Sequence, residues 1–348
     1  MHIFDYSFLD EGVLPAELVN LTSTISALNA LSEERRNRNI SVYTELEKIA
    51  RIQSVKGSNA IEGIVTTDAR IKEIVEGNST PLNHTEMEIV GYRNALDEIH
   101  TSHSQMVISE QTILHLHQVM TEAAGYEGSG RYKADDNIIA EVDEYGRRRV
   151  RFSPVPASQT ADAMEQLLLA YVDARDNARI NNLLLIPCVI LDFLCIHPFA
   201  DGNGRVSRLL TLLLMYKSGF NIGKYVSFEE QINRRKGYYY EALRASSTGW
   251  HDNQSDYAPF IMEFLVTLYM CYKELDKRFA VIGSKKVTKQ ARIEATVLNS
   301  LTPISKAEIG RILPDVSATT IEAVLGKMVK AGQIRKVGAG RNVRYIRF

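Results

Sequence analysis

The feature that most constrains this 348-residue chain is a polar, glycine-rich block of twelve residues, His197 to Arg208, between two apolar segments. The first segment runs from Leu183 to Ile196 and the second from Leu209 to Tyr216. Their composition predicts two helices buried in the core. A polar loop between core helices adds little to packing. The sequence therefore predicts that the block carries the function.

The middle of the block, Gly202-Asn203-Gly204, lies where a loop turns into a helix. Helix N-termini present unpaired backbone N–H groups and a positive dipole end, and both favour phosphate. Arg205 and Arg208 are three residues apart, so we expect them on one helix face. Two guanidinium groups above such a terminus suit a di- or triphosphate. The pattern predicts a polyphosphate site.

Two further residues of the block supply acid–base and metal chemistry. Asp201 offers a hard carboxylate oxygen to Mg²⁺, which protein and substrate phosphates usually share. His197 can accept a proton near neutral pH, as activation of a hydroxyl group requires. Taken alone, His197 is also explained by helix capping or packing, the Gly-Asn-Gly loop by a plain turn, and the two arginines by solvent exposure or a surface ion pair. A zinc site is the other alternative, but no second His or Cys lies at ligand spacing.

Composition is that of an ordinary globular protein, with 45% apolar and 24% charged residues. No apolar run has the length that crosses a bilayer, and the N-terminus lacks the pattern of a secretory signal. The cysteines, Cys188, Cys195 and Cys271, lie in apolar patterns and are expected to be buried free thiols. We therefore predict a cytoplasmic protein with no membrane partner.

Helical periodicity covers most of residues 1–280, except for one stretch. The predicted helices are 14–37, 44–60, 83–99, 109–120, 161–178, 183–196, 203–217, 229–245 and 257–279. The stretch from Gly125 to Thr160 is rich in glycine instead. Its strand-like runs, Asn137–Ala140 and Val150–Phe152, flank Asp143–Gly146 and predict a hairpin flap.

Residues 285–348 form a basic segment, with thirteen Lys or Arg, four Asp or Glu and a net charge of +9. Three predicted helices followed by a basic hairpin are the order of a winged helix. We expect Ser317–Ala331 to be its recognition helix, with Lys327 and Lys330 as its basic residues. The arginines expected near the wing are Arg341, Arg344 and Arg347. DNA and a protein partner both stay open for this segment.

The block from His197 to Arg208 resembles, at every position, the signature of Fic-domain proteins, His-Pro-Phe-x-Asp/Glu-Gly-Asn-Gly-Arg-x-x-Arg. The resemblance covers most of residues 1–280. It implies a mainly α fold, a Fic-type helical bundle with a β-hairpin flap, followed by the winged helix. The expected domains are an N-terminal helical region with an inhibitory helix (1–100), a Fic catalytic domain (101–284) and a winged-helix domain (285–348).

In that family the signature transfers AMP from ATP to a hydroxyl side chain of a protein. The resemblance implies that His197 deprotonates a target Ser, Thr or Tyr and that Asp201 binds Mg²⁺. The residues implied to hold the ATP phosphates are Gly202, Asn203, Gly204, Arg205 and Arg208. Related phosphotransferase toxins carry Lys at the position of Gly204, so the glycine favours AMP transfer.

A second motif, Ser58-Asn59-Ala60-Ile61-Glu62-Gly63, closes a predicted helix on a C′-type glycine. By itself it indicates an ordinary helix end. It also resembles the inhibitory motif of the Fic family, in which Glu62 would pair with Arg208 and displace the terminal phosphate of ATP. Ser58, Glu62 and Gly63 are the inhibitory residues that the resemblance implies.

The resemblance also implies residues around the nucleotide. Asn137–Ala140 would be the flap strand on which the target protein docks, with Ile138 and Ile139 beside ATP. Tyr239 and Tyr240 match a pair near adenine, and plain helix packing is their alternative. Ser247 stands where several relatives have Asn, which bears on nucleotide choice. A homodimer is compatible with the family.

The leading hypothesis is a Mg²⁺-dependent protein adenylyltransferase, autoinhibited by Glu62, which modifies a target protein or itself. One alternative is a DNA-binding transcription regulator whose Fic body senses a nucleotide. Another is a de-AMPylase that uses the same site to remove AMP.

Overall fold

The computed structural model describes residues 2–11, 14–142, 147–283, 288–298, 300, 303–338, 340 and 343–347. The fold is mainly helical, with short strands, as the sequence predicts. Residues 2–283 contain the helices α1 (Ala16–Arg38), α2 (Ile40–Ile61), α3 (Asp68–Val75), α4 (His84–Ser102), α5 (Glu110–Glu122), α6 (Thr160–Asp176), α7 (Asn182–Ile196), α8 (Asn203–Lys217), α9 (Phe228–Arg234), α10 (Lys236–Ser247) and α11 (Ala258–Gly283). No helix of the described chain is long and apolar enough to span a membrane.

The apolar segments that flank the polar block form the two most buried helices. Every residue of α7 from Leu183 to Ile196 is buried, and so are nearly all residues of α8. Helix α7 is apolar nearly all round, as is typical of a helix in the interior, whereas α8 also buries the polar residues of its first two turns. One continuous core runs from Tyr6 to Leu275, so the predicted regions 1–100 and 101–284 share it. The loop between α7 and α8 is thus fixed at both ends by the core.

The single helix predicted over 229–245 is wrong, because two helices occupy this stretch. Helix α9 ends at Arg234, and α10 begins at Lys236. Arg235 separates them with φ −114° and ψ 22°, outside the α-helical range. Its guanidinium donates two hydrogen bonds to the carboxylate of Glu263 on α11, at 3.1 and 2.8 Å. This tertiary contact accompanies a break that local periodicity does not indicate.

The predicted flap is an antiparallel hairpin of β1 (Ile139–Val142) and β2 (Arg148–Phe152). The first strand begins at Ile139, two residues later than the predicted start at Asn137. The register shifts between Ile139 and Ala140, which is the mark of a β-bulge. The predicted turn at 143–146 lies outside the described residues. Arg244 of α10 pairs with Glu141 at 2.6 Å and ties the flap to the body.

The basic segment has a second core of its own, from Ile293 to Tyr345. Its elements are α12 (Lys289–Leu298), β3 (Ile304–Ser305), α13 (Lys306–Ile312), α14 (Ala318–Lys330), β4 (Ile334–Val337) and β5 (Arg344–Arg347). The strand order is β3-β5-β4, all antiparallel. The helix before the hairpin begins at the N-cap Ser317 and is followed by Gly332 with φ +68°, as predicted. The winged-helix assignment stays a prediction.

Helix α2 connects the two cores. Ile49 of α2 packs against the core of the basic segment. Glu45, one turn earlier, lies 3.4 Å from Arg311 of α13, and Lys72 of α3 lies 3.6 Å from Glu308 of α13. The C-terminal end of the same helix reaches the polar block between α7 and α8, as described below. The basic segment is therefore in contact with the helix that carries Ser58.

A buried carboxylate fastens the N-terminal segment to α7. Asp192 is fully buried and accepts hydrogen bonds from Tyr6, Trp250 and Tyr257, each at 2.7 Å. Burial raises the pKa of Asp192 to about 6, while these three donors oppose that rise. The N-terminal segment is thus held against α7, five residues before His197.

Replacing Asp192 by alanine is expected to lower the free energy of unfolding by about 3–5 kcal/mol, because three buried donors lose their acceptor. The Asp192→Asn variant retains one acceptor oxygen and should lose less. Urea denaturation measures the change. The control is Asp173→Ala, an exposed position on α6. A loss below about 1 kcal/mol for Asp192→Ala would contradict this account.

Candidate active site

The backbone of the block is bent by two left-handed residues. His197 ends α7 with φ +52° and donates its N–H to the carbonyl of Phe193 at 2.9 Å. Gly202 caps α8 with φ +81°, a conformation that favours glycine. Phe199 lies between these two residues. The side chain of Asn203 accepts a hydrogen bond from the N–H of Phe199 at 2.9 Å and donates one to the carbonyl of Phe199 at 2.7 Å. The side-chain amide of Asn203 therefore fixes the loop, while its backbone N–H belongs to the first turn of α8.

His117 of α5 supports this loop from below, and the sequence did not indicate it. Its ring stacks on Phe199 with centroids 3.8 Å apart and planes 5° apart. Its Nδ1 accepts the N–H of Gly130 at 3.0 Å, so its Nε2 carries the proton and donates to the carbonyl of Asp201 at 3.2 Å. Burial lowers the pKa of His117 to about 4. The neutral imidazole thus orients the chain at Asp201.

His197 is held as a neutral base. Its Nδ1 lies 3.3 Å from the carbonyl of Leu194, so Nδ1 carries the proton and Nε2 keeps its lone pair. Burial lowers the pKa of His197 to about 4; nearby Lys133 also lowers it, whereas Glu62 and Asp201 act in the opposite direction. At neutral pH the imidazole can accept a proton at Nε2 without first losing one.

The base of the flap is attached to the same loop by Lys133 and Asn137. Lys133 is buried, and its Nζ donates to Asn137 at 2.8 Å and to the carbonyl of Ile196 at 3.2 Å. Its backbone N–H donates to Pro198 at 2.9 Å. The amide of Asn137 donates to Phe199 at 3.1 Å. Asn137, predicted as part of the docking strand, instead holds the loop.

The exposed side of the flap begins one residue later. The side chain of Ile138 is 53% exposed, and Ile139 pairs with Phe152 at the start of β1. Val150 on the opposite strand is also exposed. This edge of the flap is free to receive an extended segment within the part of the chain that the structure describes.

Arg208 lies at the centre of the site and is almost fully buried. Its Nε donates to Ser58 Oγ at 2.9 Å, and its Nη2 donates to the Ser58 carbonyl at 3.1 Å. The same Nη2 donates to Glu62 Oε1 at 2.7 Å, which forms an ion pair. The sequence prediction that Glu62 and Arg208 meet is confirmed as a contact. The end of α2 therefore engages the second arginine of the block.

The end of α2 has the geometry that aims Glu62 at this place. Gly63 adopts φ +79°, and the N–H of Ile64 donates to the Asn59 carbonyl at 3.0 Å, as in a Schellman motif. The predicted C′ glycine is thus confirmed. A Cβ on Gly204 would overlap Glu62 Oε1. The carboxylate consequently lies directly over the first turn of α8, in the place where an anion would approach the N-terminus.

Arg205 points to a different partner from Arg208, although the two share a helix. Its Nη1 lies 3.1 Å from Glu88 on α4, and its Nη2 lies 3.8 Å from Asp201. The side chain is buried, and its Nε has no hydrogen-bond acceptor among the described residues. Sequence reasoning missed Glu88. The two guanidinium groups thus approach the helix terminus from two sides, and Arg205 retains an unsatisfied donor.

Asp201 presents an exposed carboxylate next to Arg205. One oxygen accepts the N–H of Gly202 at 2.7 Å, while the side chain stays 70% exposed. A single hard oxygen donor suits Mg²⁺ that completes its shell with phosphate and water. In the described chain no cluster of three His, Cys, Asp or Glu side chains could hold a metal by itself. The residues present therefore fit a cation that arrives with a phosphate ligand.

The two tyrosines predicted near adenine differ in exposure. Tyr239 is buried and packs edge-on against Phe260, at 5.6 Å between centroids. Tyr240 is 38% exposed and lies edge-on to Tyr239 at 5.5 Å. Ser247 is buried, and its hydroxyl donates to the carbonyl of Arg244 at 3.2 Å. Tyr239 thus packs within the core, as the alternative of plain helix packing predicts. Tyr240 is the ring of the pair that is accessible to a ligand.

The family model "Fic/DOC family" matches residues 107–215. Protein adenylyltransferase Fic of Nematostella vectensis is 27% identical over 222 residues, which are 62% of this chain and 46% of that protein. A Fido domain-containing protein of Dictyostelium discoideum is 25% identical over 138 residues, 40% of this chain and 90% of that protein. The chain thus spans less than half of the first of these relatives.

Solved structures resemble the fold over a larger part of the chain. A Fic family protein from Desulfovibrio desulfuricans G20 aligns over 97% of both chains, with a TM-score of 0.62 and 21% identity. Fic-1 from C. elegans aligns over 75% of this chain and 73% of that chain, with a TM-score of 0.55 and 19% identity. The loop and its surrounding helices define a Fic/DOC domain. Residues 107–215 of this chain form that domain.

Proposed function

We propose that this chain is a protein adenylyltransferase that transfers AMP from ATP to a hydroxyl side chain of a protein. The observation that carries the proposal is the position of a neutral base, His197, beside the N-terminus of α8. A free Nε2 lone pair, the first-turn N–H groups of α8 and two arginines then belong to one loop–helix junction, where a phosphate group can bind. These are the groups that nucleotidyl transfer to a hydroxyl requires.

In the proposed reaction the hydroxyl oxygen of the target attacks the α-phosphorus of ATP. A new phosphoester bond forms to the target, and the bond to the β-phosphate oxygen breaks, so pyrophosphate leaves with that electron pair. The hydroxyl proton passes to Nε2 of His197. The Nδ1–H bond to Leu194 keeps the ring in the tautomer that accepts it. One positioned base contributes roughly 10²–10⁴-fold to such a step.

The negative charge that develops on the phosphate oxygens faces the first turn of α8. Backbone N–H groups of Asn203, Gly204 and Arg205 have no acceptor within the helix, because they belong to its first turn. The donors of Arg205 and Arg208 complete this surface. Asp201 would hold Mg²⁺, which neutralises phosphate charge when it is bound. The loop contacts of Phe199 keep these donors aimed before ATP arrives.

The proposed resting state is inhibited by Glu62. Its carboxylate lies over Gly204 and takes one donor of Arg208, so a phosphate at the same place would meet a like charge and lose that donor. ATP must then displace Glu62 or bind without its terminal phosphate in place. We propose that the apparent activity of the wild-type chain is low for this reason.

The class of transfer is tested with two labels. The purified chain and a candidate protein acceptor are incubated with MgATP that carries ³²P in either the α or the γ position. Label from the α position alone supports AMP transfer. Label from the γ position would instead indicate phosphoryl transfer, and release of label from an AMP-modified protein without any incorporation would support the de-AMPylase alternative.

The pH dependence follows from the state of His197. Burial lowers its pKa to about 4, so we expect kcat/KM to stay level from pH 8 to about 5 and to fall only below that. Because the folded state binds this proton less tightly than the unfolded state, His197 also lowers stability as the pH falls from about 6.5 to 4. An acidic limb centred near the ordinary pKa of histidine, about 6.5, would contradict this prediction.

A further inference from the structure

The basic segment carries a group of cations that no other described residue neutralises. They lie on the C-terminal half of α14 and on the strands β4 and β5. The group, here called the basic surface, comprises Lys327, Lys330, Arg335, Lys336 and Arg347. All five side chains are exposed, and none has an ion pair with a residue that the structure describes. Arg341, predicted near the wing, lies outside the described residues.

The other arginines of this segment face carboxylates. Arg292 pairs with Asp315 at 2.6 Å, and Arg344 lies 3.1 Å from Glu308. Arg311 points to Glu45 of α2 at 3.4 Å. Positive charge is thus neutralised where the segment packs inward or against α2, and it is left unneutralised on the C-terminal half of α14 and along β4 and β5. Such segregation is the electrostatic footprint of a polyanion site.

The exposed face of α14 next to the basic surface is built of small residues. Ala318, Thr319 and Ala323 are exposed and uncharged, so a ligand can approach the helix closely. Glu322 is the acidic residue of this helix, and it pairs with Lys306 at 3.2 Å. The helix therefore presents a face of small residues that includes the paired Glu322, with cations at its C-terminal end and on the adjoining strands.

We infer that the basic surface binds duplex DNA, with α14 facing the major groove and the β4–β5 hairpin on the flanking phosphates. The major groove of B-form DNA admits a helix, whereas the deep and narrow major groove of A-form RNA does not. Spaced cations beside a helix face of small residues match two rows of phosphates on either side of a groove. The surface lies outside residues 1–280, so DNA binding does not depend on AMP transfer.

The test uses the full chain and a fluorescein-labelled random duplex of about 20 base pairs, with binding measured by anisotropy. If five cations contact phosphates, the logarithm of the association constant should fall with the logarithm of salt concentration with a slope of about −4.5. Affinity should then drop by about 500-fold between 50 and 200 mM salt. Absence of binding at 50 mM salt overturns the inference.

A matched pair of variants separates the basic surface from net charge. K327E/K330E/K336E should weaken DNA binding by at least about 30-fold at 100 mM salt. The control R38E/R131E/K273E changes the net charge by the same amount at exposed positions of the body. It should change the affinity for DNA by less than about threefold. The neutral variant K327Q/K330Q/K336Q guards against a folding defect, and circular dichroism checks all three.

Further outcomes are decisive against DNA. Equal loss in both charge-reversal variants would show a nonspecific charge effect. Tighter binding to vesicles of phosphatidylserine and phosphatidylcholine than to the duplex would assign the surface to membranes. Binding to duplex RNA as tight as to duplex DNA would contradict the placement of α14 in a major groove.

Discussion

Replacing Glu62 by glycine is expected to raise the incorporation of α-labelled AMP from ATP by roughly 10- to 100-fold. Arg208 should keep its position without Glu62, because Ser58 accepts two further hydrogen bonds from the same guanidinium. Removing the carboxylate frees one charged donor for phosphate and removes a like charge. A hydrogen bond to a charged group is worth about 1.5–3 kcal/mol, and about 1.4 kcal/mol is a factor of ten.

The chain contains a matched control for this variant. Glu76 ends α3 as Glu62 ends α2, and each is followed by a left-handed glycine, Gly77 or Gly63. Glu76→Gly therefore changes the same residue in the same helix-end geometry, away from Arg208. Label incorporation and thermal stabilisation by MgATP are measured for both variants. Glu62→Gly should gain in both readouts, whereas Glu76→Gly should match the wild type.

Two outcomes would contradict the proposed inhibition. Equal labelling of wild type and Glu62→Gly would show that Glu62 does not limit the reaction. A gain in Glu76→Gly of similar size would assign the effect to loosened helix ends. The γ-label experiment stays informative in either case, since it tests the class of transfer without reference to Glu62.

The parts of the fold that the sequence predicts well are those that depend on local patterns. The apolar runs before and after the block predict α7 and α8 to within a residue. These runs are long and end at polar residues, so the pattern itself marks where each helix begins or ends. The C′ glycines, Gly63 and Gly332, are confirmed because a left-handed residue there needs no tertiary context. The break at Arg235 was missed, since its ion pair with Glu263 is remote in sequence.

The supporting residues of the site could not be predicted, for the same reason. His117 reaches Asp201 across 84 positions, and Lys133 reaches Ile196 across 63. Glu88 meets Arg205 from another helix. In the sequence His117 lies among the apolar residues of α5 and has the pattern of a core residue. Only packing of α5 against the loop distinguishes a positioning histidine from an ordinary buried one.

Arg208 connects the described parts of the molecule to one another. It is bound by α2 through Ser58 and Glu62, and the other end of α2 contacts the basic segment through Ile49 and Glu45. The helix that contacts the basic segment is thus the same helix that binds Arg208, the arginine proposed to hold ATP phosphate.

In the Glu62→Gly background, replacing His197 by alanine is expected to reduce AMP transfer by about 10²–10⁴-fold, the usual contribution of one positioned base. The loss should appear in kcat, while the dissociation constant for MgATP should change by less than about threefold. This split is expected because the proposed mechanism assigns the target hydroxyl to His197 and the phosphates to α8 and the arginines. Single-turnover labelling and isothermal titration calorimetry give the two quantities.

Backbone strain is the competing explanation for such a loss, because His197 has φ +52° and alanine disfavours that conformation. Asparagine tolerates left-handed backbone, and its amide can donate to the Leu194 carbonyl as Nδ1 does, but it is no base near neutral pH. His197→Asn should therefore lose as much activity as His197→Ala while it keeps wild-type thermal stability. His115→Ala, an exposed histidine on α5 that pairs with Glu98, is the control and should keep full activity. Recovery of more than about a tenth of the activity in His197→Asn would mean that the side chain acts on loop geometry rather than on the proton.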